Sequence, residues 1–173
     1  MICHGCGSDN IPGNDTCDHC GLDLAGLDLP EAHGGFRGLM LTARLADVGL
    51  STPVVVDVEA PVAEAIDKMR RQKCGCALVF DDGKLVGIFD ERDVLTRVAV
   101  PGLDCATTPM SAVMSPDPLR LSLDDPPAFA VHCMVANDFR HLAVLSGDHL
   151  EGYISVRNIL GYLERKTMAG SPA

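Results

Sequence analysis

Gly87-Ile88-Phe89-Asp90-Glu91-Arg92-Asp93 and Gly152-Tyr153-Ile154-Ser155-Val156-Arg157-Asn158 stand 65 residues apart in a chain of 173. Sliding residues 48–95 by 65 positions lays them on 113–160 without a gap. Val48 then meets Val113, Pro53 meets Pro118, Pro61 meets Pro126, Ala65 meets Ala130 and Met69 meets Met134. Further on, Val79 meets Val144, Leu85 meets Leu150, Arg92 meets Arg157 and Leu95 meets Leu160. Identity at so many spaced positions, with no insertion, argues for two copies of one structural unit. A pair, rather than a long array, suggests two units that bury their faces on each other.

Each copy reads the same way locally. Pro53–Val58 and Pro118–Leu123 are expected as short strands, the second alternating Leu119, Leu121 and Leu123. Helices follow, opened by Pro61 in one copy and by Pro126 and Pro127 in the other, where a missing N–H is harmless. Val62, Ala65, Ile66 and Met69 mark one apolar face at helical spacing; Pro127, Ala130, Val131 and Met134 mark the other. Ala77–Phe80 and Leu85–Phe89 flank the turn Asp81-Asp82-Gly83 as a hairpin, matched by Leu142–Leu145 and Leu150–Ile154 around Ser146-Gly147-Asp148. A final helix starts at Asp90 or Ser155, both good N-caps, with Asp93 or Asn158 at the third helical position. Helix N-termini expose N–H groups that suit a phosphate or ribose, although capping alone also accounts for these residues. The expected fold is α/β (α+β), with the order β-α-β-β-α twice.

With Phe139-Arg140-His141-Leu142-Ala143-Val144, the two quoted stretches make residues 45–164 resemble a tandem pair of cystathionine-β-synthase (CBS) domains, a Bateman module. The family's motif is Gly, two apolar residues, Ser or Thr, two variable residues, then Asp. The first copy has Asp90 in place of the Ser or Thr but keeps Asp93; the second keeps Ser155 but carries Asn158. The resemblance implies a pseudo-twofold pair with two clefts for adenosine-containing ligands such as AMP, ADP, ATP or S-adenosylmethionine. It also implies a regulatory role and a homodimer, expected through helix faces around Met69 and Met134. Arg140, His141, Ser155 and Asn158 are expected to form the cleft that takes a phosphorylated nucleotide. The cleft near Asp93 and Asp90, where Gly75 and Cys76 replace the basic pair, is expected to stay empty or take an uncharged or cationic adenosyl ligand.

Ahead of the repeats, Cys3-His4-Gly5-Cys6 and Cys17-Asp18-His19-Cys20 each close on a glycine, Gly7 and Gly21. A two-residue gap lets both thiolates of one tight turn face a single ion, and two such turns supply four sulfurs for tetrahedral zinc. Residues 1–24 cannot fold by apolar burial alone, so metal binding would supply the missing free energy. The stretch looks like a short zinc ribbon of the CxxCG type, with Cys3, Cys6, Cys17 and Cys20 as ligands and His4 and His19 as bystanders. Cys76 and Cys133 read as small hydrophobes.

The expected organisation is a zinc ribbon at 1–24, a linker at 25–44 with a short helix expected from about Leu39 to Asp47, repeats at 45–100 and 111–164 joined by 101–110, and a tail at 165–173. The linker is expected to separate the two cores, so that the CBS pair stays folded when Cys17→Ser releases the zinc and unfolds the ribbon. Fourteen Lys and Arg against twenty-four Asp and Glu give a net charge of −10, which disfavours binding to a phosphate backbone. No apolar run approaches the roughly 18 residues that a membrane span needs. The start of the chain has no secretory pattern, so a cytoplasmic protein is expected. Signatures such as G-x-x-x-x-G-K-[ST], H-E-x-x-H or G-x-S-x-G are lacking, and no enzyme is expected. The leading reading is an intracellular sensor with a ribbon for protein interaction; the rival is a ligand-free adaptor or dimerisation module.

Overall fold

The computed structural model describes residues 2–3, 5–11, 14–24 and 35–169. His4, the first half of the expected linker (25–34) and the end of the expected tail (170–173) lie outside the described residues. Two helices, α1 (Gly35–Thr42) and α2 (Leu45–Val48), precede β1 (Val54–Asp57), α3 (Val62–Gln72), β2 (Cys76–Asp81) and β3 (Lys84–Asp90). Helix α4 (Glu91–Asp93) runs on as a π-helical turn over Val94–Ala99. Then come β4 (Ser115–Pro116), β5 (Arg120–Ser122), α5 (Pro127–Asn137), β6 (His141–Ser146), β7 (His149–Ser155) and α6 (Val156–Ala169). The β-α-β-β-α order holds twice.

β1 runs parallel to β2, with Val54 opposite Ala77, and β2 runs antiparallel to β3, with Cys76 opposite Asp90. The sheet order is β1-β2-β3-β4, and the second sheet is β5-β6-β7. The first hairpin turns at Asp82 (φ 44°) and Gly83 (φ 76°), the paired left-handed conformation that a two-residue hairpin favours. The repeat shows again at the helix ends: Lys73 after α3 (φ 53°) and Asp138 after α5 (φ 54°) are both left-handed caps, 65 residues apart.

The chain divides into two compact units, and the division does not follow the sequence repeat. One unit holds residues 51–120 with the hairpin arm 141–153. The other holds 1–50, 121–140 and 154–173. In the first, Val54, Val56, Val62, Ala65, Met69, Cys76, Val79 and Phe89 form one core with Val113 and Tyr153. Leu78 and Leu85 pack with Ala143 and Leu145 on the other face of the sheet. Met69 therefore faces its own sheet, and Met134 is equally buried, 5% and 4% exposed. The expectation that these methionines surface a dimer face is corrected: their i, i+3, i+4 neighbours carry them inward.

The second unit differs from expectation at its N-terminal end. Residues 35–42 of the expected linker are helical, and α1 packs on α5. The ribbon is not a separate core. Among the described residues its own cluster is Cys3, Cys17, Leu22 and Leu24, with Cys20 beside it, too little to stand without a metal, and it rests on α5.

Candidate functional site

The two cysteine knuckles are built alike, fourteen residues apart. Gly7 N–H donates to the Cys3 carbonyl and Gly21 N–H to that of Cys17; Cys3 N–H donates to Ser8 and Cys17 N–H to Leu22. Gly7 (φ 72°) and Gly21 (φ 70°) close the turns in the left-handed region. Ligand atoms of Cys3, Cys6, Cys17 and Cys20 all lie within 4.8 Å of one another. Cys3 Sγ is 3.7 Å from Cys20 Sγ, and Cys6 Sγ is 3.6 Å from Cys17 Sγ. A tetrahedron with metal–sulfur bonds of about 2.3 Å has sulfur–sulfur edges of about 3.8 Å, so the four residues fit such an ion. Asn10, which sequence reading passed over, ties the knuckles together. Its Nδ2 donates to the Ser8 carbonyl (2.9 Å) and to Cys17 Sγ (3.5 Å), while its Oδ1 accepts from Asp18 N–H.

The cluster's protonation is uneven. Backbone N–H groups of Cys20 and His19, with Asn10, hold the Cys17 thiol down at about 6 against the burial that opposes them. Burial and the neighbouring thiols push Cys20 up to about 12. Four sulfurs this close ionise together only around a cation, which is what a metal would supply.

At the first motif, Asp90 Oδ1 accepts from the N–H groups of Arg92 (2.8 Å) and Asp93 (3.2 Å). Asp93 Oδ2 accepts in return from Asp90 N–H at 3.0 Å, completing a capping box. The other oxygen of Asp93 lies 3.1 Å from Arg97 Nε. His141 joins this group: its Nδ1 is 3.7 Å from Asp90 Oδ2 and makes no hydrogen bond. Its ring stands edge-on to Tyr153, with centroids 5.5 Å apart. The Cys74 thiol donates to the Cys76 carbonyl at 3.0 Å, and its sulfur lies 3.5 Å from the Tyr153 hydroxyl. Gly75 is required here, because a Cβ on it would lie 2.8 Å from His141 Nε2. Burial opposes ionisation of Asp90, yet the facing imidazole and the two N–H donors hold it below the ordinary carboxylate value. Burial dominates at Asp93 and raises it.

At the second motif, Asn158 Oδ1 accepts from Ser155 N–H at 3.0 Å and from the Ser155 hydroxyl at 2.6 Å. Its Nδ2 donates to the Gly49 carbonyl. Arg140 is exposed and belongs to the same compact unit as Ser155 and Asn158. His141 belongs instead to the unit of Asp90 and Asp93. The structure thus brings together Asp90, Asp93 and His141 in one group and Ser155 with Asn158 in another.

Cys76 and Cys133 are buried, as expected of small hydrophobes. His132, which reads as an ordinary helix-surface residue, has its Nε2 3.1 Å from the Cys20 carbonyl. Nothing in its local sequence announces that partner, 112 positions away.

The sequence model of the CBS domain matches residues 45–100 and 110–165. An uncharacterised 17.7 kDa protein of Acidianus ambivalens is 28% identical over 137 residues, covering 77% of this chain and 82% of that protein. The chain spans only 16% and 17% of longer relatives from Schizosaccharomyces pombe and Arabidopsis thaliana. Among solved structures, a CBS-domain containing protein from Agrobacterium tumefaciens is 27% identical with a TM-score of 0.63, covering 69% of this chain and 98% of its own. A CBS domain protein from Pyrobaculum aerophilum, solved in complex with AMP, is 23% identical with a TM-score of 0.61, covering 70% of this chain and 98% of its own. Among the described residues, no helix is long and apolar enough to cross a membrane.

Proposed function

The chain belongs to the CBS-domain family, and from that premise we propose that its CBS pair is a regulatory sensor for an adenine nucleotide or another adenosyl ligand. The observation that carries this is the matched geometry of the two motifs. Asp93 and Asn158 each accept from the N–H three residues earlier at 3.0 Å, although neither copy keeps the whole family pattern. Both helix entrances therefore share one capped form, which holds Asp93 and Asn158 at the position where the family motif has its ribose-type carboxylate. The AMP bound to the Pyrobaculum relative supports the ligand class. Occupancy would alter the packing of the module and its contacts with a regulated protein in the cytoplasm.

A phosphate is drawn to the side of Arg140 and Ser155 and repelled by the Asp90 carboxylate. At separations of 4–6 Å each effect is worth roughly a kcal/mol or more in a partly shielded cleft. Calorimetric titration with AMP, ATP and S-adenosylmethionine tests this. Arg140→Ala should weaken AMP or ATP binding about tenfold, and Asp93→Ala should leave it near wild type. Loss with Asp93→Ala alone would reverse the assignment of the clefts.

The four cysteines hold one structural zinc, whose role is to cross-link the two knuckles. Metal analysis should find one zinc per chain, and Cys17→Ser should abolish it. A second reading, a ligand-free adaptor, is favoured by one fact: the motif oxygens of Asp93 and Asn158 already have partners within the chain. No heat with any of the three ligands would select it.

A further inference from the structure

We propose that the outer face of α5 is the docking surface of the ribbon, and that metal loading of the ribbon holds this helix in place. The metal content then becomes an input to the second repeat. The inference rests on the reading of the four cysteines as a zinc site.

Three observations point the same way. The first knuckle is pressed onto α5: a Cβ on Gly5 would lie 2.8 Å from the Phe129 ring and 2.9 Å from Leu22, so no side chain fits there. The second knuckle is tied to the same face, since Cys20 offers its carbonyl to His132 at 3.1 Å. Phe129 and His132 are three residues apart and so lie on one side of the helix.

The third observation is the contrast between the two copies. Helix α3 has an ordinary solvated outer face. Glu64 pairs with Lys68 at 2.8 Å, and Asp67 pairs with Arg71 at 2.8 Å and with Arg70 at 3.2 Å. Sixty-five residues on, Glu64 becomes Phe129, Asp67 becomes His132, Lys68 becomes Cys133 and Arg70 becomes Val135. Helix α5 carries no Asp, Glu, Lys or Arg at all, and Cys133 is 5% exposed where Lys68 has a 40% exposed side chain. A helix face that trades its charges for Phe129 and Cys133 calls for cover, while Val135 beside it stays exposed. In this chain α1 and the ribbon contact it. Stripped of its ion, a ribbon with four core residues loses the free energy that holds its knuckles. Phe129 and His132 then lose their cover.

Hydrogen exchange on the full chain, zinc-loaded and stripped by EDTA under reducing conditions, tests this. On stripping, exchange in Pro127–Asn137 should accelerate roughly tenfold or more while Val62–Gln72 keeps its rate. A chain that binds zinc, releases it and keeps α5 equally protected overturns the inference alone. A chain that takes up no zinc overturns the metal reading and the inference with it. As a second measurement, His132→Ala should speed zinc loss to a chromogenic chelator by roughly tenfold, and Val135→Ala should not. Equal rates in both variants would count against the dock.

Discussion

Asp93 and Asn158 occupy equivalent positions, make the same 3.0 Å bond, and differ by one charge. That charge has a pH signature. Asp90, held below the ordinary value of 3.8, contributes stability that is present above that value and lost as pH falls below it. Asp93 acts in the opposite sense. Its raised value means that burial of the carboxylate costs stability once pH exceeds that value, and the cost is relieved as pH falls back towards 3.8. Asp93→Asn copies the second repeat into the first. It should leave thermal stability at pH 7 equal to or above wild type and deepen the fall in stability from pH 7 to acid, because the relief that protonation of Asp93 gives is gone while the loss at Asp90 remains. A clear loss at pH 7 would mean that the Arg97 contact outweighs burial.

Helices α3 and α5 are one element with two outer faces. Exchanging their residues should therefore have unequal effects. Phe129→Glu sets a carboxylate against the knuckle at Gly5, where a Cβ would have no room, and should cost at least 1–2 kcal/mol by order of magnitude. Glu64→Phe breaks only an exposed pair with Lys68 and should cost no more than about 0.5 kcal/mol. Comparable melting shifts in the two variants would contradict the difference between the faces. At the scale of the element, sequence reading found the helices, hairpins and caps, because each follows from periodicity or from a turn residue such as Gly83. The one short helix read over about Leu39 to Asp47 stands as two, α1 and α2, with α1 beginning earlier, at Gly35, within the stretch read as linker.

On the whole molecule, the buried methionines leave another equivalent pair exposed. Leu95 and Leu160, 65 residues apart, are 63% and 58% exposed, with Val100 and Val135 exposed as well. Exposed apolar side chains repeated in both copies suit self-association. Light scattering should detect a species above 18.3 kDa. Leu160→Asp should shift it towards monomer, whereas Met134→Leu should leave it unchanged. Only the 18.3 kDa mass at all concentrations would sink this expectation.

The repeat, its elements, the family and the four-sulfur cluster were all legible from the sequence. Each is written in local spacing: 65 residues between copies, two residues between paired cysteines, and three or four between apolar positions. Which surfaces those elements cover was not legible. The partnership of His141 with Asp90, of His132 with the Cys20 carbonyl, and of Phe129 with Gly5 joins positions 51 to 124 residues apart. Such contacts are set by chain packing and leave no periodic trace. Even the apolar outer face of α5, plain in the sequence beside α3, acquired its meaning only when the structure laid the ribbon upon it.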